Sequence, residues 1–227
     1  MTIATDTGSR AGSPDTPISA GSDLRAAFRA AYENRYTWDD GFSGYGGSCG
    51  WSEGSRSIDG GQFSVTKDLR IGVDGFDDDE VVKAIKAQLW EVTIHRVRRS
   101  FEQTHGENTF TAGETDATGT EVIVGGKCAG DRYRIKDNVV KMVHRHIHAT
   151  LVKIHTESTI DTGSGYLSKA YTSRYYDPVS GNPRGAENHF TDTFACLSNG
   201  YWTLTQRLIR CGDNTQIFRF EKLAPLA

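Results

Sequence analysis

From Glu107 onward, short runs of alternating apolar and polar residues are separated by tight-turn sequences, a rhythm that points to antiparallel strands. The runs are 109–111, 121–124, 132–135, 139–159, 166–176, 187–197, 201–210 and 216–223. The connections carry turn chemistry: Asp116-Ala117-Thr118-Gly119, Asp137-Asn138, Asp161-Thr162-Gly163, Asp177-Pro178-Val179-Ser180-Gly181, Ser198-Asn199-Gly200 and Gly212-Asp213-Asn214. Short loops make successive strands antiparallel neighbours, so the natural topology is a meander. Long meanders curl to hide their edges. The expected fold is mainly β (α+β): a curled antiparallel sheet, barrel or half-barrel, with a short N-terminal helix and one long helix.

The N-terminal half supplies the helices. Residues 1–21 are rich in Thr, Ser, Gly, Ala and Pro and hold too few large apolar side chains to offset the entropy of ordering, which predicts a disordered tail. Residues 22–227 then form a single β-barrel-like domain. Leu24, Phe28, Ala31 and Tyr32 recur at helical spacing, predicting a first helix that ends near Asn34. Between 41 and 73, glycines punctuate alternating segments in the manner of strands and turns. A second helix starts at the acidic cap Asp77-Asp78-Asp79-Glu80 and runs to Gly106, with Arg96, Arg98 and Arg99 in its last half. Two apolar stripes mark it, Val82, Ile85, Leu89, Val92 and Trp90, Ile94, Val97, Phe101, so it should plug or cover the sheet with broad burial.

Charge and cysteine usage exclude several classes. The formal net charge of -3 leaves no chain-wide positive field for nucleic acid or anionic lipid. The four cysteines stand far apart, without C-x-x-C spacing. The start of the chain has no apolar core of an export signal, and no run reaches the ~18 apolar residues of a membrane span. The expected setting is cytoplasmic, with reduced thiols. No nucleotide-binding glycine motif, nucleophile elbow or H-E-x-x-H occurs.

Three constellations remain as candidate chemistry. On a strand, His144, His146 and His148 project to one side, in line with Met142. Convergent imidazoles can share a metal, orient a ligand's polar end or shuttle protons, while a half-solvated polar stripe explains the same spacing. On the long helix, Glu91, His95, Arg98 and Glu102 fall on one face; Glu91 and His95 form an acid/base pair if that face borders a cavity, and a salt-bridged outer face if it does not. The aromatic residues, with Trp90 and Tyr171 foremost, suit the wall of a concave apolar site, although aromatics also simply fill β cores. The binding set is therefore His144, His146, His148, Met142, Trp90 and Tyr171. No resident metal or cofactor is expected.

The segments A-Y-E-N-R-Y-T-W-D (31–39), Q-L-W-E-V-T-I-H-R-V-R-R (88–99), M-V-H-R-H-I-H (142–148) and G-Y-L-S-K-A-Y-T-S-R-Y-Y-D-P (165–178) resemble a family common in cyanobacteria and catalogued as a domain of unknown function. The resemblance runs from about Leu24 to Leu223 and departs at the glycine-rich stretch 44–50 and the N-terminal tail. It transfers no catalytic residues. The chain also looks like accessory members of this family found with biosynthesis of anthraquinone-fused enediynes. That resemblance implies a homodimeric β-barrel holding a long apolar chain, a fatty acid or polyene intermediate. Three readings follow: a binding protein for a hydrophobic small molecule, an isomerase- or cyclase-like enzyme using the histidine row on a polyketide-type intermediate, and a structural dimer.

Overall fold

The computed structural model describes residues 22–226, so the expected tail lies outside the described residues. α1 (Ser22–Glu33) leads through a buried aromatic stretch, Tyr36, Trp38 and Phe42, into β1 (Gly44–Glu53), β2 (Arg56–Thr66) and β3 (Ile71–Asp74). α2 (Asp79–Ile94) and α3 (Phe101–His105) follow. The remainder is a meander: β4 (Asn108–Asp116), β5 (Gly119–Gly126), β6 (Arg132–Lys136), β7 (Val139–Ile147), β8 (Thr150–Asp161), β9 (Tyr166–Tyr176), β10 (Pro183–Cys196), β11 (Trp202–Cys211) and β12 (Asn214–Pro225). β12 returns antiparallel to β1, which gives one 12-stranded sheet in the order β3-β2-β1-β12-β11-β10-β9-β8-β7-β6-β5-β4. The sheet is open rather than a closed barrel, with β3 and β4 as its two edges. Among the described residues, no helix is long and apolar enough to cross a membrane.

The α2–α3 segment links the two edge strands. Ladder partners share a face, so the register shows where the helices lie. Val122, Tyr133, Val143, Ile154, Ser173 and Asn188 stand opposite one another in turn across β5 to β10. Tyr133 meets Phe28 of α1, with ring centroids 4.7 Å apart. Farther round, Asp192 faces Arg207, Arg207 faces Phe218 and Phe218 faces Trp51, and Phe218 and Trp51 share a cluster with Ile85 and Leu89 of α2. All the helices therefore cover one face of the sheet.

Two hydrophobic clusters result. One packs α2 against β1–β3, β11 and β12 and part of β9 and β10; the other packs α1 and α3 against β5–β7. α2 is capped by Asp78, whose carboxylate accepts from the Glu80 and Val81 amides, and it buries the single stripe Val81, Ile85, Leu89 and Val92. The second expected stripe does not form. The predicted long helix breaks after Ile94 because residues 96–97 are drawn into pairing with Trp38, whose amide donates to the Arg96 carbonyl at 2.8 Å. It restarts at a capping box between Ser100 and Gln103, which satisfies the amides of a new N-terminus. Phe101 consequently joins the other core, beside Phe28.

The expected strand 139–159 is likewise two strands. A two-residue turn at His148 and Ala149 reverses the chain, Ile147 pairs with Thr150, and His148 takes φ 53°. No Gly, Asn, Asp or Pro marks that turn, which is why alternation alone reads through it.

His105 sits inside the α1–α3 core, packed on Phe28 and Tyr32. The Asn108 carboxamide oxygen accepts from the Cys128 amide, and its nitrogen donates to His105 Nδ1 at 3.1 Å, which leaves the ring proton on Nε2. Burial, with Arg145 and Arg35 adding to it, presses the His105 pKa down to about 4. The folded state therefore holds the neutral ring, and its contribution is complete above the unfolded value near 6.5 and lost as pH falls toward 4. Urea unfolding is expected to show stability declining over that window by up to about 1.4 kcal/mol per pH unit from this group, with a shallower decline in His105→Leu.

Candidate functional site

Arg207 on β11 lies at the junction of α2 with the central strands and is 2% exposed. Its Nε and Nη2 donate to the two oxygens of buried Asp192 at 2.8 and 2.7 Å. Nη2 also donates to the Tyr171 hydroxyl at 2.7 Å, and Nη1 to Gln88 Oε1 at 3.1 Å, with Glu91 Oε2 at 3.4 Å. A guanidinium has five N–H donors, and these partners can engage all of them. Burial opposes the charge on Arg207, but Tyr171, Asp192 and Glu91 hold its pKa above the ordinary arginine value. Burial also raises the Tyr171 hydroxyl well above its usual range. The Tyr171 ring stacks on Phe190 at 4.7 Å and 6°.

Beside this node the sheet is incompletely covered. Val152, Ile154, Tyr171 and Tyr175 on β8 and β9, Phe190 on β10 and Ile147 on β7 belong to neither hydrophobic cluster. All of them stand on the helix-bearing face: Tyr175 is opposite Val152, which is opposite Arg145, and Ile147 lies two residues beyond Arg145. Ile147 and Tyr175 are 47% and 48% exposed, and Ile154 and Tyr171 are half-buried. These side chains make an apolar strip, or trough, along β7–β10 between the α2 core and the α1–α3 core, with Val152 and Phe190 buried and the others partly open.

The trough has cationic surroundings. His95, the C-cap of α2, is exposed. Crowding by protein, followed by Arg96, Arg35, Arg207 and Arg145, presses its pKa down to about 4, so it is neutral at pH 7. Burial lowers Arg96 to about 10, against the opposing pull of Asp192 and Tyr171. Arg96 donates to the Tyr36 carbonyl at 3.2 Å.

The expected site residues separate. Tyr171 lies in the trough, and Glu91 and His95 are on the adjoining helix face, with Glu91 paired to Arg207. Arg98 and Glu102 do not extend that face because the helix has ended; Glu102 instead pairs with Arg25 and Arg29. Trp90 is two residues past Gln88, some 200° around α2, and is 48% exposed on the side turned away from Arg207. His144 and Met142 face Arg132 and Arg134 in the ladder, opposite in parity to Tyr133, so the histidine row and the trough are on opposite faces of the sheet. The Asp131 carboxylate stands 3.3 Å from His146 Nδ1, placed to accept from it, and the His146 ring lies 5.9 Å from that of His144, while His148 leaves the row in the turn. Burial, then Lys153, Arg132 and His146, lowers the His144 pKa.

The sequence did hold a sign of the Arg207 node. Phe190, Asp192 and Phe194 alternate on one face, and a carboxylate between two buried phenylalanines requires a buried cation or donor. Two recesses, of about 430 and 380 Å³, lie away from this strip. The larger is lined by polar groups including Asp59, Gln62, Arg219 and Glu221, which do not suit an apolar guest.

A family model described as protein of unknown function (DUF3386) matches residues 19–226. The chain belongs to the DUF3386 family. The match embraces every helix and strand of the fold, so the node and the trough both fall within the DUF3386 domain. No curated protein matches the chain. Among solved structures, a domain provisionally described as an outer membrane lipoprotein-sorting protein from Vibrio parahaemolyticus is 9% identical, with a TM-score of 0.32, covering 90% of this chain and 92% of its own. A LolA superfamily protein from Nitrosomonas europaea is 7% identical, with a TM-score of 0.30, covering 92% and 95% respectively.

Removing one member of a buried, hydrogen-bonded ion pair strands the other. Asp192→Ala is expected to lower the unfolding free energy by about 3–5 kcal/mol, and the double replacement Asp192→Leu with Arg207→Met by much less. Chemical denaturation of the two variants checks this.

Proposed function

We propose that this DUF3386 protein binds an elongated hydrophobic small molecule in the trough over β8–β10. The observation that carries the reading is the row of apolar side chains between two well-packed cores, exposed at Ile147 and Tyr175 and half-buried at Ile154 and Tyr171. A folded chain gains roughly 25 cal/mol for each Å² of apolar surface it removes from water, so such a strip favours a guest. A fatty acid or a polyene intermediate of natural-product biosynthesis suits its apolar chemistry, with Arg96 on the side of the guest's polar end. A pair of copies meeting at a free sheet edge is the assembly this reading favours.

Two experiments test it. Native mass spectrometry of freshly purified protein is expected to show a co-purifying apolar molecule, and a fluorescent polyenoic acid is expected to bind the stripped protein. Ile154→Glu, which sets a carboxylate in the floor, is expected to weaken that binding at least about tenfold while circular dichroism stays unchanged. An unaltered affinity in that variant refutes the location.

A further inference from the structure

The apolar strip has an open end and a charged end. Ile147, beside the β7–β8 turn, and Tyr175, beside the β9–β10 turn, are its exposed members. Tyr171 stands opposite Phe190 in an antiparallel pair. The line from Tyr175 to Tyr171 along β9 therefore continues along β10 from Phe190 through Asp192 to Phe194, alternate residues on the helix-bearing face. The guanidinium carbon of Arg96 lies 5.8 Å from the centre of the Phe194 ring. Arg96 belongs to the link between α2 and α3, which is fastened at two points. Its carbonyl accepts from the Trp38 amide at 2.8 Å, and its Nη1 donates to the Tyr36 carbonyl at 3.2 Å. The cation is thus seated at the end of the line away from the hairpins.

The other cations of this face are committed. Arg207 directs its donors to Asp192, Tyr171 and Gln88, with Glu91 at 3.4 Å. Arg145 stands 3.5 Å from the Asp131 carboxylate. Arg35 donates Nε to the Tyr32 carbonyl at 2.8 Å, and its guanidinium lies 3.8 Å from the centre of the Tyr32 ring, on the α1 side. Arg96 is different. It is half-buried, forms no ion pair among the described residues, and gives only Nη1 to the protein. Its Nε and Nη2 take no partner among the described residues and are not sealed from solvent. Burial already weighs against its charge. A charge drawn out of water normally sits beside a counter-ion, and here that counter-ion is missing.

We propose, building on the trough reading, that the guest is a long-chain carboxylic acid whose carboxylate sits on Arg96 while its apolar body runs along Tyr171, Ile154 and Tyr175 toward the hairpins. Arg96 then sets a preference for free acids over their neutral derivatives. The open nitrogens are the ones such a head group needs. Nε and Nη2 present two parallel N–H groups that meet both oxygens of a carboxylate, and Arg207 holds Asp192 through the same two nitrogens at 2.8 and 2.7 Å. One carboxylate also balances the single uncompensated charge.

Fluorescence titration of the stripped full chain with a polyenoic acid and its methyl ester, at neutral pH, tests this. The carboxyl is ionised there, so the two probes differ in charge and share the apolar body. The acid is expected to bind at least about tenfold more tightly than the ester. Arg96→Gln is expected to weaken the acid about tenfold and to leave the ester within about twofold, so ester binding also reports an intact fold. Arg96→Lys, which keeps the charge and loses the parallel N–H pair, is expected to fall between. Arg98→Gln, which removes an exposed charge two residues along the same link, is expected to leave both probes unchanged. Equal affinity of the parent for acid and ester overturns the head-group assignment while the trough stands, as does full acid affinity in Arg96→Gln. An equal loss of both probes in Arg96→Gln overturns it too, because Arg96 would then only hold the link in place, and so does a matching loss of the acid in Arg98→Gln. Binding of neither probe by the parent overturns the trough and the head-group site together.

Discussion

The Arg207–Asp192 pair is the constraint around which the helix-bearing face is organised. A guanidinium buried this deeply is tolerable only when its donors meet acceptors, and here the acceptors come from β9, β10 and α2. Gln88 and Glu91 are thereby pinned to the central strands, which fixes the rotation of α2. With that face of α2 committed to Arg207, the Val81–Val92 stripe turns to β1–β3 and Trp90 is left facing solvent. A polar node of this kind also keeps the two hydrophobic clusters from merging, because neither can close over a charged group that requires its own partners.

The trough follows from the same division. α1 and α3 are joined through the Phe28–Phe101–His105 contacts and occupy the β5–β7 side, while α2 occupies the β1–β3 side. The break between Ile94 and Ser100 makes this possible. A continuous helix through that point would place Phe101 on the axis of α2, whereas the extended link beside Trp38 lets α3 turn back to α1. What lies between the two helix groups is the floor of β8–β10, apolar and incompletely covered, with cationic groups at its side.

Much of this was legible in the chain. The meander was written in turn residues such as Asp137-Asn138 and Gly212-Asp213, and α1 and the start of α2 in capping and periodicity. The S-x-x-Q box at Ser100 and the Phe190-Asp192-Phe194 alternation were also present, though neither stands out without knowing which face is buried. The turn at His148 left no mark, since neither His148 nor Ala149 is a Gly, Asn, Asp or Pro of the kind that announces a two-residue hairpin. The identity of the sheet faces was equally hidden, because strand parity tells which residues share a side and never which side the helices choose.

The sequence by itself therefore determined the strand-rich antiparallel class, the order of the elements and the residue sets that move together, all consequences of local periodicity and turn chemistry. Tertiary structure alone decided that the sheet stays open, that β12 returns to β1, that the histidine row looks away from the helices, and that Arg207 joins strands and helix at one point. Those outcomes rest on contacts between residues far apart in the chain, such as Arg207 with Gln88 or Trp51 with Phe218, and no local pattern encodes which distant partner a side chain will meet.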